Sequence, residues 1–304
     1  MSKEFSWTPD VTSGISQRFI EANGQRFELA ECGSGDRLAL CLHGFPELNY
    51  SWRHQIPLLA AKGWRVWAPN LRGYGASSKP EGVRAYALDH LTDDVAALID
   101  ASGAKEVMLV AHDWGALVAW HFACLKLRPL TRLVIMNVPH PKVGEREIRK
   151  WRQFWRSWYI SFFQIPRLPE YGLLRCDAEA IRKAFRNMAV DKSRFPRADL
   201  DLYAAAAQRP GAMTAMINYY RALIRHRNCI DLGDARIDIP TLMIWGEADT
   251  ALNIHCTVGT EKWVSNLTLH RLPGVSHWVQ QEAPEAVNAI IADWLDGLEI
   301  CQRP

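Results

Sequence analysis

The sequence predicts an α/β chain: a mostly parallel sheet flanked by helices, interrupted by a helical insert. Short apolar runs bounded by Gly/Pro loops alternate with helix-spaced segments before residue 140 and again after residue 231. That alternation is the mark of strand–helix–strand units whose sheet is covered on both faces. Between them, residues 140–231 are helix-like, rich in Arg and aromatics, with Pro166, Pro169, Pro196 and Pro210 and no convincing strand. The chain therefore divides into 1–139 (first core part), 140–231 (insert) and 232–304 (second core part). With 304 residues and 48% hydrophobic content, it is long enough to bury a large core.

Taken in order, "ISQRFIEANGQRFELAECG" is two alternating runs joined by Asn23-Gly24, a two-residue hairpin signal. "RLALCLHG" (37–44) and "WRVWAPN" (64–70) are short buried strands, the second followed by the turn-rich "LRGYGASSKP". Residues 89–101 carry helix-spaced apolar positions; 106–112 form a strand, 114–127 a helix and 133–138 another strand. After the insert, 239–246 and 267–272 are strands, and 283–298 close as a helix with a Pro near its start.

Composition narrows the function. Net charge is only +3 and the basic residues are scattered, which predicts no nucleic-acid partner and no membrane partner. The start, "MSKEFSWTPD", lacks the pattern of a signal peptide, and no 18-residue apolar stretch spans a bilayer. Seven cysteines (Cys32, Cys41, Cys124, Cys176, Cys229, Cys256, Cys301), an odd number with no C-x-x-C pair, read as reduced thiols and a cytoplasmic location. No Cys/His grouping has metal-ligand spacing, so neither metal nor organic cofactor is expected. The partner is then a small-molecule substrate, and the protein a monomer or homodimer.

"LVAHDWGALVAW" (109–120) places a carboxylate, Asp113, where a buried strand meets a buried helix. Ala111, Gly115 and Ala116 flank it with the spacing of a strand–turn–helix elbow, where small neighbours let the helix approach the strand. Catalytic groups of such sheets gather at these strand ends. No G-x-S-x-G occurs, so the carboxylate stands where a nucleophilic serine is usual; the structural alternative is a helix N-cap. Asp249, in "MIWGEADTALN", and His277, in "LPGVSHWVQQEAPEAV", each follow a strand, giving the chain order nucleophile, acid, base.

At this point the chain resembles the epoxide hydrolases of the α/β-hydrolase fold. The resemblance covers nearly the whole chain, through "HGFPE" (43–47), "RGYGASSKP" (72–80), "HDWGA" (112–116), "NVPHP" (137–141), "WGEAD" (245–249) and "SHW" (276–278). It makes the insert a helical cap. Two departures, Asn70 where these families usually carry Asp and Ala116 where Gly is commoner, bear on local packing rather than on chemistry.

A carboxylate nucleophile suits attack on saturated carbon, giving an ester that water cleaves; on a carbonyl it would give a mixed anhydride. Being ionised near neutrality, Asp113 needs no base for the first step, which leaves His277, oriented by Asp249, to activate water. The resemblance implies an oxyanion hole from the backbone N–H groups of Phe45 and Trp114. It also implies two cap tyrosines that protonate an epoxide oxygen: Tyr159 in "WYISFFQIP" and Tyr220 in "NYYRAL", with Tyr219 packing instead.

Residues 151, 154, 155, 158, 159 and 162 fall at helical spacing, which by itself reads as an aromatic stripe facing a core. Arg152 and Arg156 in that segment argue against a membrane anchor. The competing readings are a haloalkane dehalogenase, supported by Trp114 directly after the nucleophile, and a non-catalytic binder on the same fold. The dehalogenases often place Asn where this chain has Phe45. The haloacid version needs Arg where this chain has Trp114 and Leu117. The reading that results is conversion of an apolar or aromatic epoxide to a vicinal diol through an ester on Asp113.

Overall fold

The computed structural model describes residues 13–301 together with Trp7 and Pro9. The stretch "MSKEFSWTPD" lies mostly outside these residues, as does the side chain of Cys301.

The chain opens with the hairpin of β1 (Ser16–Ala22) and β2 (Gln25–Cys32). Asn23 and Gly24 both have positive φ, 49° and 64°, as the mirror-image two-residue turn requires. Then follow β3 (Arg37–Leu42), α1 (Gln55–Ala61), β4 (Arg65–Pro69), α2 (Leu88–Ser102), β5 (Glu106–His112), α3 (Asp113–Leu125) and β6 (Arg132–Met136). Helices occupy the insert: α4 (Pro141–Ile148), α5 (Trp151–Arg156), α6 (Trp158–Phe162), α7 (Leu168–Met188), α8 (Arg197–Ala207) and α9 (Ala212–Arg225). The chain returns through β7 (Thr241–Gly246) and β8 (Leu267–Leu272) and ends in α10 (Val279–Glu282) and α11 (Pro284–Cys301). Helix α1 was not anticipated: at seven residues it is too short for its apolar period to register.

Among the described residues the eight strands form one sheet in the order β1-β2-β4-β3-β5-β6-β7-β8. The two pairings that involve β2 are antiparallel and the other five parallel. Successive strand residues point to opposite faces, so each central strand serves two cores. Leu38, Leu40, Leu109, Leu133 and Ile135 pack with α2 and α3 residues such as Val95, Leu98 and Phe122. Ala39, Cys41, Met108, Val110 and Val134 face Ile56 and Leu59 of α1 and Val287, Ile291 and Leu295 of α11. Among the described residues no helix is long and apolar enough to cross a membrane. Because the central strands run parallel, the turns after β3, β5, β6 and β7 open at one end of the sheet, and the insert leaves from there.

One expectation is corrected. The aromatic stripe does not face a core: Trp151, Phe154, Trp155 and Trp158 are 69%, 59%, 65% and 61% exposed. Only Tyr159 and Phe162 of that set are partly buried. Helical spacing identifies which residues share a face, but not which face is covered. Here the covered face is polar: Gln153 and Ser157 are buried, and the Gln153 amide donates to the Ala251 carbonyl at 2.9 Å and accepts the Asn253 N–H at 3.1 Å.

Candidate active site

Asp113 sits at the β5–α3 junction with φ 47°, a left-handed conformation that costs a non-glycine residue about 1 kcal/mol. Close packing holds it there. A Cβ on Gly115 would lie 2.1 Å from the Leu42 carbonyl oxygen, and one on Gly44 would lie 2.3 Å from Asp113 Cβ. Only glycines let the β3 loop and the start of α3 approach so closely. The N-cap alternative fails: the capping position of α3 is His112, which makes no side-chain cap. The Asp113 carboxylate instead turns to the β3 loop, where Oδ1 accepts the Phe45 N–H at 2.6 Å.

Its other oxygen, Oδ2, stands 3.4 Å from His277 Nε2. On the far side of the ring, His277 Nδ1 donates to Asp249 Oδ2 at 2.7 Å. Asp249 is buried and saturated: Oδ2 also accepts from Asn137 Nδ2 at 2.7 Å, and Oδ1 takes the N–H groups of Ala251 and Leu252 at 2.7 and 2.9 Å. Asp113 at the start of α3, and His277 and Asp249 from two loops, thus form one continuous relay.

Burial alone would lower the His277 pKa, but Asp249 and Asp113 outweigh it and raise it to about 10. Burial alone would raise both carboxylates, yet His277 holds each below its ordinary value. The resting site is therefore an imidazolium between two carboxylates, with Asp113 ionised throughout the neutral range.

The insert supplies the roof. Tyr159 and Tyr220 meet edge to face with ring centroids 5.8 Å apart. Tyr220 also packs against Trp114 at 4.9 Å, Phe163 at 4.9 Å and Phe45 at 5.3 Å. Burial, then the Asp113 charge, raises both phenols, so both hydroxyls keep their protons at neutral pH. Tyr219 points elsewhere, its hydroxyl donating to the Arg72 carbonyl at 2.7 Å. Phe45 and Trp114 flank Asp113, and the Trp114 N–H belongs to the first turn of α3, whose N–H groups have no intrahelical acceptor.

A model of the alpha/beta hydrolase fold matches residues 40–284. The chain belongs to the α/β-hydrolase fold family. It is 36% identical over 284 residues to the AB hydrolase superfamily protein YfhM of Bacillus subtilis, covering 93% of this chain and 98% of that one. It is 36% identical over 294 residues to epoxide hydrolase 1 of Caenorhabditis elegans, covering 95% and 72%. A crystal structure of the Bacillus megaterium epoxide hydrolase with an inhibitor superposes with a TM-score of 0.85 at 31% identity, covering 92% and 100%. The chain is a hydrolase of this fold and a relative of the epoxide hydrolases.

Sequence reasoning assigned no role to three residues that support the site in this α/β-hydrolase. Glu47, fully buried, accepts the Gly44 N–H at 2.8 Å and, through its other oxygen, the side-chain amides of Gln280 and Gln281, both at 2.8 Å. His112 lies between Glu47 Oε2, 2.7 Å from Nδ1, and the His277 carbonyl, 2.8 Å from Nε2. The ring bridges the two and ties the His277 backbone to the Glu47 loop. Asn137, at φ 51°, joins Asp249 to the Gly246 N–H, which its Oδ1 accepts at 2.9 Å. The signals were present: a carboxylate inside a short Gly/Pro loop, and a histidine ending an apolar strand just before Asp113.

His112→Phe removes one hydrogen-bond partner of the buried Glu47, which keeps the Gly44, Gln280 and Gln281 donors, and should destabilise the fold by about 1–3 kcal/mol. Urea unfolding checks this, and an unchanged midpoint would remove His112 from the framework. The Asn70 departure also has a reason. Its amide donates to Glu28 Oε2 at 2.7 Å while its carbonyl accepts the Asn49 N–H at 2.8 Å, and a carboxylate would set like charges together.

Proposed function

We propose that the chain opens an apolar or aromatic epoxide to a vicinal diol through a covalent ester on Asp113. One observation carries this reading: two phenols from the insert, Tyr159 and Tyr220, meet edge to face, with Tyr220 packed on Phe45 and Trp114 beside Asp113 of a carboxylate–histidine–carboxylate relay. A halide leaves without a proton, whereas an epoxide oxygen leaves as a strongly basic alkoxide and needs an acid. Relatives named as epoxide hydrolases support the same class.

In the first step Asp113 Oδ2 attacks an epoxide carbon, that carbon's ring C–O bond breaks, and a tyrosine transfers its proton to the departing oxygen. Asp113 Oδ1 becomes the ester carbonyl oxygen, already placed at the Phe45 N–H. In the second step His277 takes a proton from water, whose oxygen adds to the ester carbon. The charge gathers on Oδ1, held by the Phe45 and Trp114 N–H groups; each such donor contributes about 10²–10³ in rate. Collapse releases the diol, its alkoxide taking the proton from His277, and leaves Asp113 as the carboxylic acid, whose proton passes to solvent and restores the carboxylate. A proton from solvent restores the tyrosine. The rings of Phe45, Trp114 and Phe163 around Tyr220 favour an apolar substrate.

The test is a side-by-side assay of diol from styrene oxide and of halide from a short haloalkane. Wild type should form diol, and Tyr159→Phe/Tyr220→Phe should lose about 10²–10⁴ of that rate. Trp114 beside the nucleophile favours a second reading, haloalkane dehalogenation. Halide release without diol, undiminished in the double variant, would establish it.

A further inference from the structure

Helices α5 and α6 run almost continuously through Ser157 and carry an inverted polarity. At about 100° per residue, Trp151, Phe154, Trp155 and Trp158 fall within an arc of roughly 100°. All four are exposed. The opposite arc is fastened to the core: besides the Gln153 bonds to the 251–253 loop, Arg156 Nη1 donates to the Asp249 carbonyl at 2.9 Å. These bonds fix the helix rotation, so the aromatic arc cannot turn inward. A run of four large aromatics held outward marks a contact surface rather than scattered surface apolar residues.

Charge selects the occupant. Residues 148–163, "IRKWRQFWRSWYISFF", contain four cations (Arg149, Lys150, Arg152, Arg156) and no acid, more charge than the whole chain's net +3. Arg149 and Lys150 are exposed on the turn leading into α5, the Lys150 ammonium 2.8 Å from Glu147, which Arg146 also pairs. A second copy would bring the same net positive segment against itself, which opposes a symmetric dimer here. Tryptophan and phenylalanine with flanking Lys/Arg is the composition of helices lying in the headgroup layer, where indoles bridge apolar and wet regions and cations meet lipid phosphates.

We propose that the α5–α6 ridge docks this protein peripherally on an anionic lipid surface. This sets aside, for peripheral contact, the expectation of no membrane partner: Arg149 and Lys150 are exposed beside the ridge, where headgroup phosphates would meet them. Tyr159 follows Trp158 directly and turns its ring inward to Tyr220, so the docking ridge and the roof of the site share one helix.

The test is flotation of the purified full-length protein with vesicles of phosphatidylcholine, alone or mixed with phosphatidylglycerol. Wild type should float with the mixed vesicles, several-fold less with phosphatidylcholine alone, and less again at high salt. Trp151→Ser/Trp155→Ser/Trp158→Ser should lower the bound fraction about tenfold or more, as should Arg149→Glu/Lys150→Glu. An unchanged thermal midpoint without vesicles shows that both variants are folded. The proposal is overturned if wild type floats with neither vesicle, floats equally with both, or floats no better than the triple variant. A wild-type dimer in sedimentation that the triple variant splits, without flotation, would give the ridge to a second copy instead.

Discussion

Asp113→Asn is expected to abolish turnover, by about 10⁴-fold or more, while leaving the protein folded. Asparagine keeps the side-chain shape and tolerates the left-handed backbone at φ 47°, and the framework of His112, Glu47 and Asn137 does not depend on the Asp113 charge. What is lost is the anionic Oδ2 3.4 Å from His277. The same change strips His277 of one of its two carboxylates, so its pKa should fall from about 10. Steady-state diol formation and an NMR titration of the imidazole check both statements. Wild-type turnover by the variant would end the covalent reading.

His277→Gln should divide the reaction in two. The ester forms, because Asp113 attacks without a base, but its hydrolysis slows by about 10²–10⁴-fold and the adduct accumulates. Intact-protein mass spectrometry after mixing with styrene oxide should find one added substrate mass on Asp113. Unmodified protein with full turnover would remove His277 from the mechanism. The wild-type pH dependence follows from the same electrostatics. Resting His277 is protonated because two carboxylates raise it to about 10, and esterification cancels the Asp113 charge. The imidazole pKa must then fall, making it a base only once there is an ester to cleave. Single-turnover hydrolysis should therefore rise with pH and level off below about 10. A rate that falls across that range has the wrong sign for this assignment.

Local signals were the legible ones. The Asn23-Gly24 turn, the small residues around Asp113 and the strand-end positions of Asp249 and His277 each depend on a few neighbours in sequence. They could be read because φ, close approach and period are set within a turn or two. Glu47 and His112 could not, because their partners lie far away: His112 meets Glu47 across 65 residues and the His277 carbonyl across 165. The amide of Asn70 was equally opaque until Glu28, 42 residues away, was seen to accept from it.

The sequence by itself determined the sheet, the insert between its two halves and the proposal of Asp113, Asp249 and His277 as nucleophile, acid and base, because backbone period and loop chemistry are local. Only the tertiary structure decided that Asp113 is no helix cap, that the Tyr219 hydroxyl is spent on the Arg72 carbonyl, and that four aromatics of the insert point outward. A periodic pattern names the residues that share a face, but which face is covered depends on long-range bonds. Here those are the Gln153 and Arg156 contacts to the loop that carries Asp249.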